Sequence, residues 1–490
     1  MKKILNKHNI ILYTITLIIN ALICFYYFKP HIATDSYDVF LYGYKNYANV
    51  IVFPIGRIVT SLFFYTLDLF NIKYLLGIHL SFLISLLFSS LTICLVYLNE
   101  KKYFRENKIN KVIIYLLSFI FIVNPYTMEL YMYFESSTLL FSILMATLSS
   151  IIFTSNNKNK YEYSLILLLI CAFTYQCSMP YFIILTLFNL ILNENNIKSI
   201  ITETIKVISL FVLSAIINIL YISTSNCLYT YKLTNSYSIS HIIKNLLYYA
   251  NEFFIKNLYF EPKYMFIYIF IALITIYTII NILNKKQNKI LLFSLFIIFS
   301  IIITLSPMIS MGIDLYTGPR MYIGMIAIIP ISLIVINKEI ENKKILNYIF
   351  LICTILIFII NFNYSFKFAK NINEITISEK NDSLFIANKI KEYQQKTNIK
   401  VTNIVYYYDN DRNSYGAKEK FGIRYSALGI PYFIPKILRY YGDINLKSYN
   451  TIEKDINDEI YIKYFNNKNW NSLTNENIIF IDNTIYICYY

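Results

Sequence analysis

Long apolar runs separated by short polar connections dominate the chain from residue 9 to residue 363. A membrane-spanning helix needs about 20 consecutive apolar residues. About eleven stretches approach that length: 9–28, 72–98, 112–124, 136–154, 163–176, 178–193, 203–223, 264–284, 290–310, 320–337 and 345–363. Those at 112–124, 163–176 and 178–193 are short, and tilt or local thinning of the bilayer accommodates short spans. The first run follows Lys2, Lys3 and Lys7 and lacks a small-residue cleavage site, so it reads as a retained span rather than a signal peptide. The segment 58–70 is apolar but interrupted by Asp68, and reads as a helix lying at the interface.

Beyond residue 365 the pattern changes. Leu384, Ala387, Ile390 and Tyr393 fall at helical spacing and predict a helix over 378–395, with Ser378 as its cap. The β-branched and aromatic run 401–408 predicts a strand. Residues 477–490 predict a hairpin turning at Asp482-Asn483. The expectation is a transmembrane domain over 1–364, with longer loops at 29–71 and 224–263, followed by a small α/β domain over 365–490. No internal repeat is evident.

Lysine and arginine give the orientation, because they collect in cytoplasmic loops. The N-terminus and the connections 99–111, 156–160, 196–199, 284–289 and 337–344 are basic. The intervening short connections 124–137 and 175–180 carry no Lys or Arg. The alternation predicts a cytoplasmic N-terminus, and an odd span count then puts the C-terminal domain outside.

Composition fits this picture. The chain has 490 residues, 57% of them hydrophobic, and only 15% are charged, against roughly 25% in soluble domains. The fold class expected is a polytopic α-helical membrane protein with a small extracytoplasmic α/β domain. The net charge of +15 belongs to cytoplasmic lysines. No basic patch with interleaved aromatics stands out, which argues against a nucleic-acid partner. Cys24, Cys94, Cys171 and Cys353 lie in apolar runs and read as small hydrophobes. Cys227 and Cys488 are the two that could meet outside the membrane. His31 and Asp35 are four apart, but two ligands do not make a metal site, and neither metal nor cofactor is expected. Richness in Ile, Asn, Lys and Tyr suits an AT-rich bacterial genome, hence a bacterial plasma membrane.

The outer loops hold the candidate chemistry. Asp35 and Asp38, in "DSYDVF", are three apart and share a face if helical. Two carboxylates so close, next to apolar surface, raise the pKa of one of them, and such a group can take a proton from a sugar hydroxyl. Solvated loop residues or helix caps are the plainer alternative. Arg57 follows Gly56 and can fork onto a phosphate, or snorkel to lipid headgroups. "NPYTMELYMYFESS" places Glu129 and Glu135 among tyrosines, suited to sugar stacking and hydrogen bonding or to an aromatic belt. Gln176 sits in "TYQCSMP", and "IDLYTGPRMY" adds Asp314 and Arg320, the latter a second phosphate candidate.

"DSYDVF", "GRIVT", "NPYTMELYMYFESS", "TYQCS" and "TGPRMY", in this order and on this side, resemble the type II glucosyl transferase family of GT-C-fold membrane proteins. The likeness covers about residues 10–400 and extends to the charged tail helix at "NDSLFIANKI". It implies a GT-C-like membrane enzyme that takes a hexose, glucose by the family's name, from a polyprenyl-phosphate carrier. It delivers the sugar to a surface polysaccharide or glycolipid acceptor outside the membrane. It implies Asp35 as general base with Asp38 beside it, Arg57 and Arg320 on the donor phosphate, and Glu129, Glu135, Gln176 and Asp314 around sugar or acceptor. Two departures stand out: Glu135 replaces an expected aspartate, and Ile58 stands where an aromatic is expected after Gly-Arg. A transporter or flippase of a lipid-linked sugar, or a polysaccharide polymerase or ligase, are the competing functions.

Overall fold

The computed structural model describes residues 7–29, 31–33, 35–193, 196–224, 239–256, 265–284, 287–309, 319–407, 428, 433–446, 451–454, 458–466 and 473–488. Asp314, Cys227 and most of the loop 224–263 lie outside the described residues.

Each predicted span coincides with a helix. In chain order the helices are α1 (Lys7–Ile23), α2 (Ser36–Tyr42), α3 (Tyr44–Tyr47), α4 (Ile58–Leu69), α5 (Tyr74–Glu100), α6 (Lys108–Ile122), α7 (Pro125–Tyr131), α8 (Ser136–Phe153) and α9 (Lys160–Ala172). They continue with α10 (Pro180–Asn193), α11 (Ile197–Thr224), α12 (Ile239–Asn251), α13 (Met265–Leu283), α14 (Gln287–Ile309), α15 (Ile323–Ile340) and α16 (Lys344–Thr397). Among the described residues, six helices are long and apolar enough to cross a membrane, or seven if the α6–α7 pair, bent by 52°, counts as one span. The remaining expected spans form α1, α9, α13 and α14; the fully described residues of α1, α13 and α14 make apolar helices of 10–17 residues, and α9 has 13 residues. The chain is a multi-pass membrane protein by the composition of these helices. On α16, Ile349, Ile352, Leu356 and Ile359 are all more than half exposed and follow one helix face. Water would not favour such a stripe, whereas lipid does.

The bend between α6 and α7 has a local cause. Pro125 opens α7, where its missing N–H costs nothing. Asn124 caps it, its Oδ1 accepting from Tyr126 N and Thr127 N at 3.1 Å each.

The chain divides into two compact units. The first comprises Met1–Phe25, Ala48–Tyr131 and Glu135–Lys367. The second comprises Tyr26–Tyr47, Met132–Phe134 and Phe368–Tyr490. The first-loop segment bearing Asp35 and Asp38 was expected with the transmembrane domain; it belongs instead with the tail.

The tail also departs from expectation at its start. A separate helix capped by Ser378 was expected, but α16 runs unbroken for 54 residues. Nothing between Tyr364 and Ser378 interrupts it, since that stretch contains neither Gly nor Pro. Ser378 is interior, and its hydroxyl donates to Asp382 at 3.3 Å.

The strands are β1 (Asn403–Tyr407), β2 (Thr451–Lys454), β3 (Ile478–Ile481) and β4 (Thr484–Cys488), in sheet order β2-β1-β4-β3. β1 runs parallel to both β2 and β4, while β3 and β4 form the expected antiparallel hairpin. Asp482 takes φ 50° at its turn. Two short helices, α17 (Ile434–Gly442) and α18 (Glu459–Tyr464), accompany the sheet. Tyr407, Tyr461, Phe465 and Cys488 are buried together in its core. Cys488 is a buried free thiol.

Candidate functional site

In the first unit, Gly56 prepares the position of Arg57. Its φ is +82°, and a Cβ there would meet Ile222 at 2.9 Å. Only glycine makes this turn without strain. Arg57 then stands at the N-cap of α4, with Ser61 N donating to its carbonyl at 2.9 Å.

The Arg57 guanidinium donates through Nη1 to Glu135 Oε1 at 3.1 Å. Its carbon lies 5.0 Å from the centre of the Tyr175 ring, a cation–π contact. The Nε is buried and, among the described residues, meets no hydrogen-bond acceptor. Glu135 occupies the N-cap of α8, where the helix dipole favours a negative charge. Its side chain is 7% exposed against 22% for Arg57. The pair is therefore largely dry, and Coulomb attraction there exceeds its surface value.

Gln176 and Glu129 fix this neighbourhood. Gln176 Nε2 donates to Ile55 O and to Asn218 Oδ1, both at 3.2 Å. Asn218 in turn donates to Ala172 O at 3.3 Å. The Gln176 amide nitrogen therefore ties the turn before Arg57 to α9 and α11. Glu129 is fully buried on α7, and its Oε2 accepts from the backbone N–H of Arg320 at 2.6 Å. Both guanidinium charges, of Arg57 and Arg320, act on Tyr175. Of the predicted residues, Arg57, Glu129, Glu135, Gln176 and Arg320 thus gather in the first unit. The sequence reading missed Tyr175 as the stacking partner, although it adjoins Gln176 in the quoted motif. It also missed Asn218, for which no local signal exists.

The second unit holds Asp35 and Asp38. Asp35 sits at the N-cap of α2, and Asp38 lies in its first turn. The N–H of Asp38 donates to Asp35 O at 3.1 Å. The Asp38 carboxylate is paired with Lys436 Nζ from α17. Burial pushes the Asp38 carboxyl above the ordinary range; Lys436 opposes the rise and Asp35 adds to it. Phe40 stacks on Tyr440 at 4.4 Å with the planes 10° apart, and Tyr37 donates to Glu379 Oε2 at 3.1 Å. Aromatic stacking, a hydrogen bond and an ion pair together join α2 to the tail. Lys436 and Tyr440 carry no sequence signal that links them to the first loop.

No family model, curated protein or solved structure matches this chain.

Proposed function

We propose that the chain is a GT-C-like glycosyltransferase of a bacterial plasma membrane. It moves a hexose, glucose by the sequence resemblance, from a polyprenyl-phosphate carrier to a polysaccharide or glycolipid acceptor outside the cell. All eleven apolar stretches cross the membrane in this reading, with the N-terminus cytoplasmic and the tail extracytoplasmic. The observation that carries it is the half-buried Arg57 guanidinium. It is held by Glu135 and Tyr175 and keeps an Nε without a partner among the described residues. A prearranged cation with a spare donor is what a departing phosphate needs.

The reaction is a displacement at the anomeric carbon. Asp35 takes the proton of the acceptor hydroxyl, and its oxygen attacks. The bond from the anomeric carbon to the phosphate oxygen breaks, and the configuration inverts. The phosphate leaves as an anion, so no acid is needed on its side. Arg57 and Arg320 stabilise the developing charge. Glu129 and Asp314 stay near sugar or acceptor in this scheme, while Glu135 and Gln176 serve to hold Arg57 and its turn.

A flippase for the same lipid-linked sugar is favoured by one observation. Glu100, at the end of α5, is fully buried and accepts from Asn99 Nδ2 at 3.1 Å. An ionisable residue in a span is a functional signal, but it lies at a helix end.

Mass analysis of surface glycans from cells with and without the protein tests the proposal. Loss of a hexose from an otherwise exported polymer supports transfer. Loss of the whole polymer favours transport or polymerisation, and an unchanged glycan refutes all three.

A further inference from the structure

Asp38 and Lys436 are 398 residues apart, yet their side chains form an ion pair inside the second unit. The pair is well enclosed, with side-chain exposures of 16% and 11%. The lysine has a second contact, its Nζ lying 4.6 Å from the centre of the Phe433 ring. Pro435 opens α17 and the Phe40–Tyr440 stack closes the next turn, so the lysine is presented from a rigid, packed helix.

We propose that Lys436 is a positioning residue for the acidic loop: the tail, through α17, holds Asp38 ionised and oriented beside Asp35. The C-terminal domain would then be a working part of the acidic site rather than a cap. The inference rests on the proposed transfer reaction only where activity is read.

The physical basis is competition between two opposed effects. Burial disfavours the Asp38 carboxylate, and the negative charge at Asp35 disfavours it further. Lys436 is the cation that counters both, through a hydrogen bond and through its charge. The elements packed on α2 include α17 and α3, and α16 meets it through the Tyr37–Glu379 hydrogen bond. Their other ionisable groups are Arg439, Tyr440 and Tyr441 on α17, Tyr44, Lys45 and Tyr47 on α3, and the buried Glu379 on α16, which accepts from Tyr37. Arg439 and Lys45 are exposed. Lys436 is the cation that meets the carboxylate.

The sign of the effect follows. A carboxyl raised in the folded protein gives stability that is full below the ordinary carboxylate range and declines as pH rises through its folded value. Removing Lys436 raises it further and enlarges that decline.

The first arm of the test reads stability alone. The thermal midpoints of purified wild type, Lys436→Met, Lys436→Arg, Asp38→Asn and the double variant Asp38→Asn/Lys436→Met are measured from pH 3.5 to 8. Met keeps the stem and removes the charge. The expected result is a deficit for Lys436→Met at pH 7–8 that shrinks by at least half below about pH 4, where the carboxyl is protonated in both folded and unfolded chains. Lys436→Arg should restore most of the midpoint, and the double variant should lose the pH dependence. A deficit independent of pH, or equal in the Asp38→Asn background, overturns the inference whatever the enzyme does.

The second arm follows hexose transfer from a synthetic polyprenyl-phosphate glucose in membranes. The acid limb of the rate profile should move upward by about one pH unit in Lys436→Met, with the donor KM unchanged. It should return in Lys436→Arg. An unmoved acid limb in an active variant overturns the positioning role. A wild type without any transfer refutes the proposed reaction, while the stability arm still decides whether Lys436 sets the charge of Asp38.

Discussion

Arg57 and Glu135 stand 78 residues apart in sequence and 3.1 Å apart at Nη1 and Oε1. The contact joins the N-cap of α4 to the N-cap of α8. Taking one partner away leaves a mostly buried charge unpaired. Glu135→Gln should therefore destabilise the protein by about 1–3 kcal/mol, below the full cost of breaking a buried pair because Arg57 keeps some solvent. Arg57→Lys should cost donor affinity more than stability, since an ammonium cannot fork. Denaturation midpoints and donor KM, measured on both variants, separate the two effects.

Asp35→Asn keeps size and shape and removes the base. Transfer should fall by at least about 100-fold, the usual contribution of a general base. Membrane insertion and thermal midpoint should stay close to wild type. Undiminished transfer would take Asp35 out of the chemistry.

The proposed topology can be read with cysteine labelling. Asn46 and Lys158 are both exposed and lie in loops assigned to opposite sides. With Cys227 and Cys353, the latter the exposed thiol among the described residues, both replaced by Ser, Asn46→Cys should react with an impermeant maleimide on intact cells. Lys158→Cys should react only after permeabilisation. The reverse pattern would turn the protein over and remove the outward-facing site.

Gly442 closes α17 against α16. A Cβ at this position would lie closer to the Ala387 Cβ than packed atoms can approach. Gly442→Ala should lower stability by about 1–3 kcal/mol, as overpacking does. Ala387→Gly in the same chain should recover most of the loss. Thermal midpoints of the two single variants and the double variant check this, and a harmless Gly442→Ala would mean that the helices separate readily.

Local pattern carried much of the architecture. The apolar runs marked the helices, because a chain in lipid must satisfy its backbone within the segment. The hairpin at Asp482-Asn483 and the strand at β1 were also legible, since turn chemistry and β-branched runs act over a few residues. The long α16 was not. Its polarity changes near residue 365, and a change of solvent preference resembles a boundary even when the backbone continues.

The candidate residues divide along the same line. Charge in a connection between apolar runs singled out Arg57, Glu129, Glu135 and Arg320, and their types are local facts. Which of them meet is a property of distant helices, and so is the role of Tyr175 beneath Arg57. The partnership of Asp38 with Lys436 lies further still from local inspection. The sequence by itself determined a membrane protein, its helices and a set of polar groups unlike their surroundings, because hydrophobicity and periodicity are read within one segment. Only the tertiary structure decided which charges are buried and paired, because burial and Coulomb energy depend on distances across the fold.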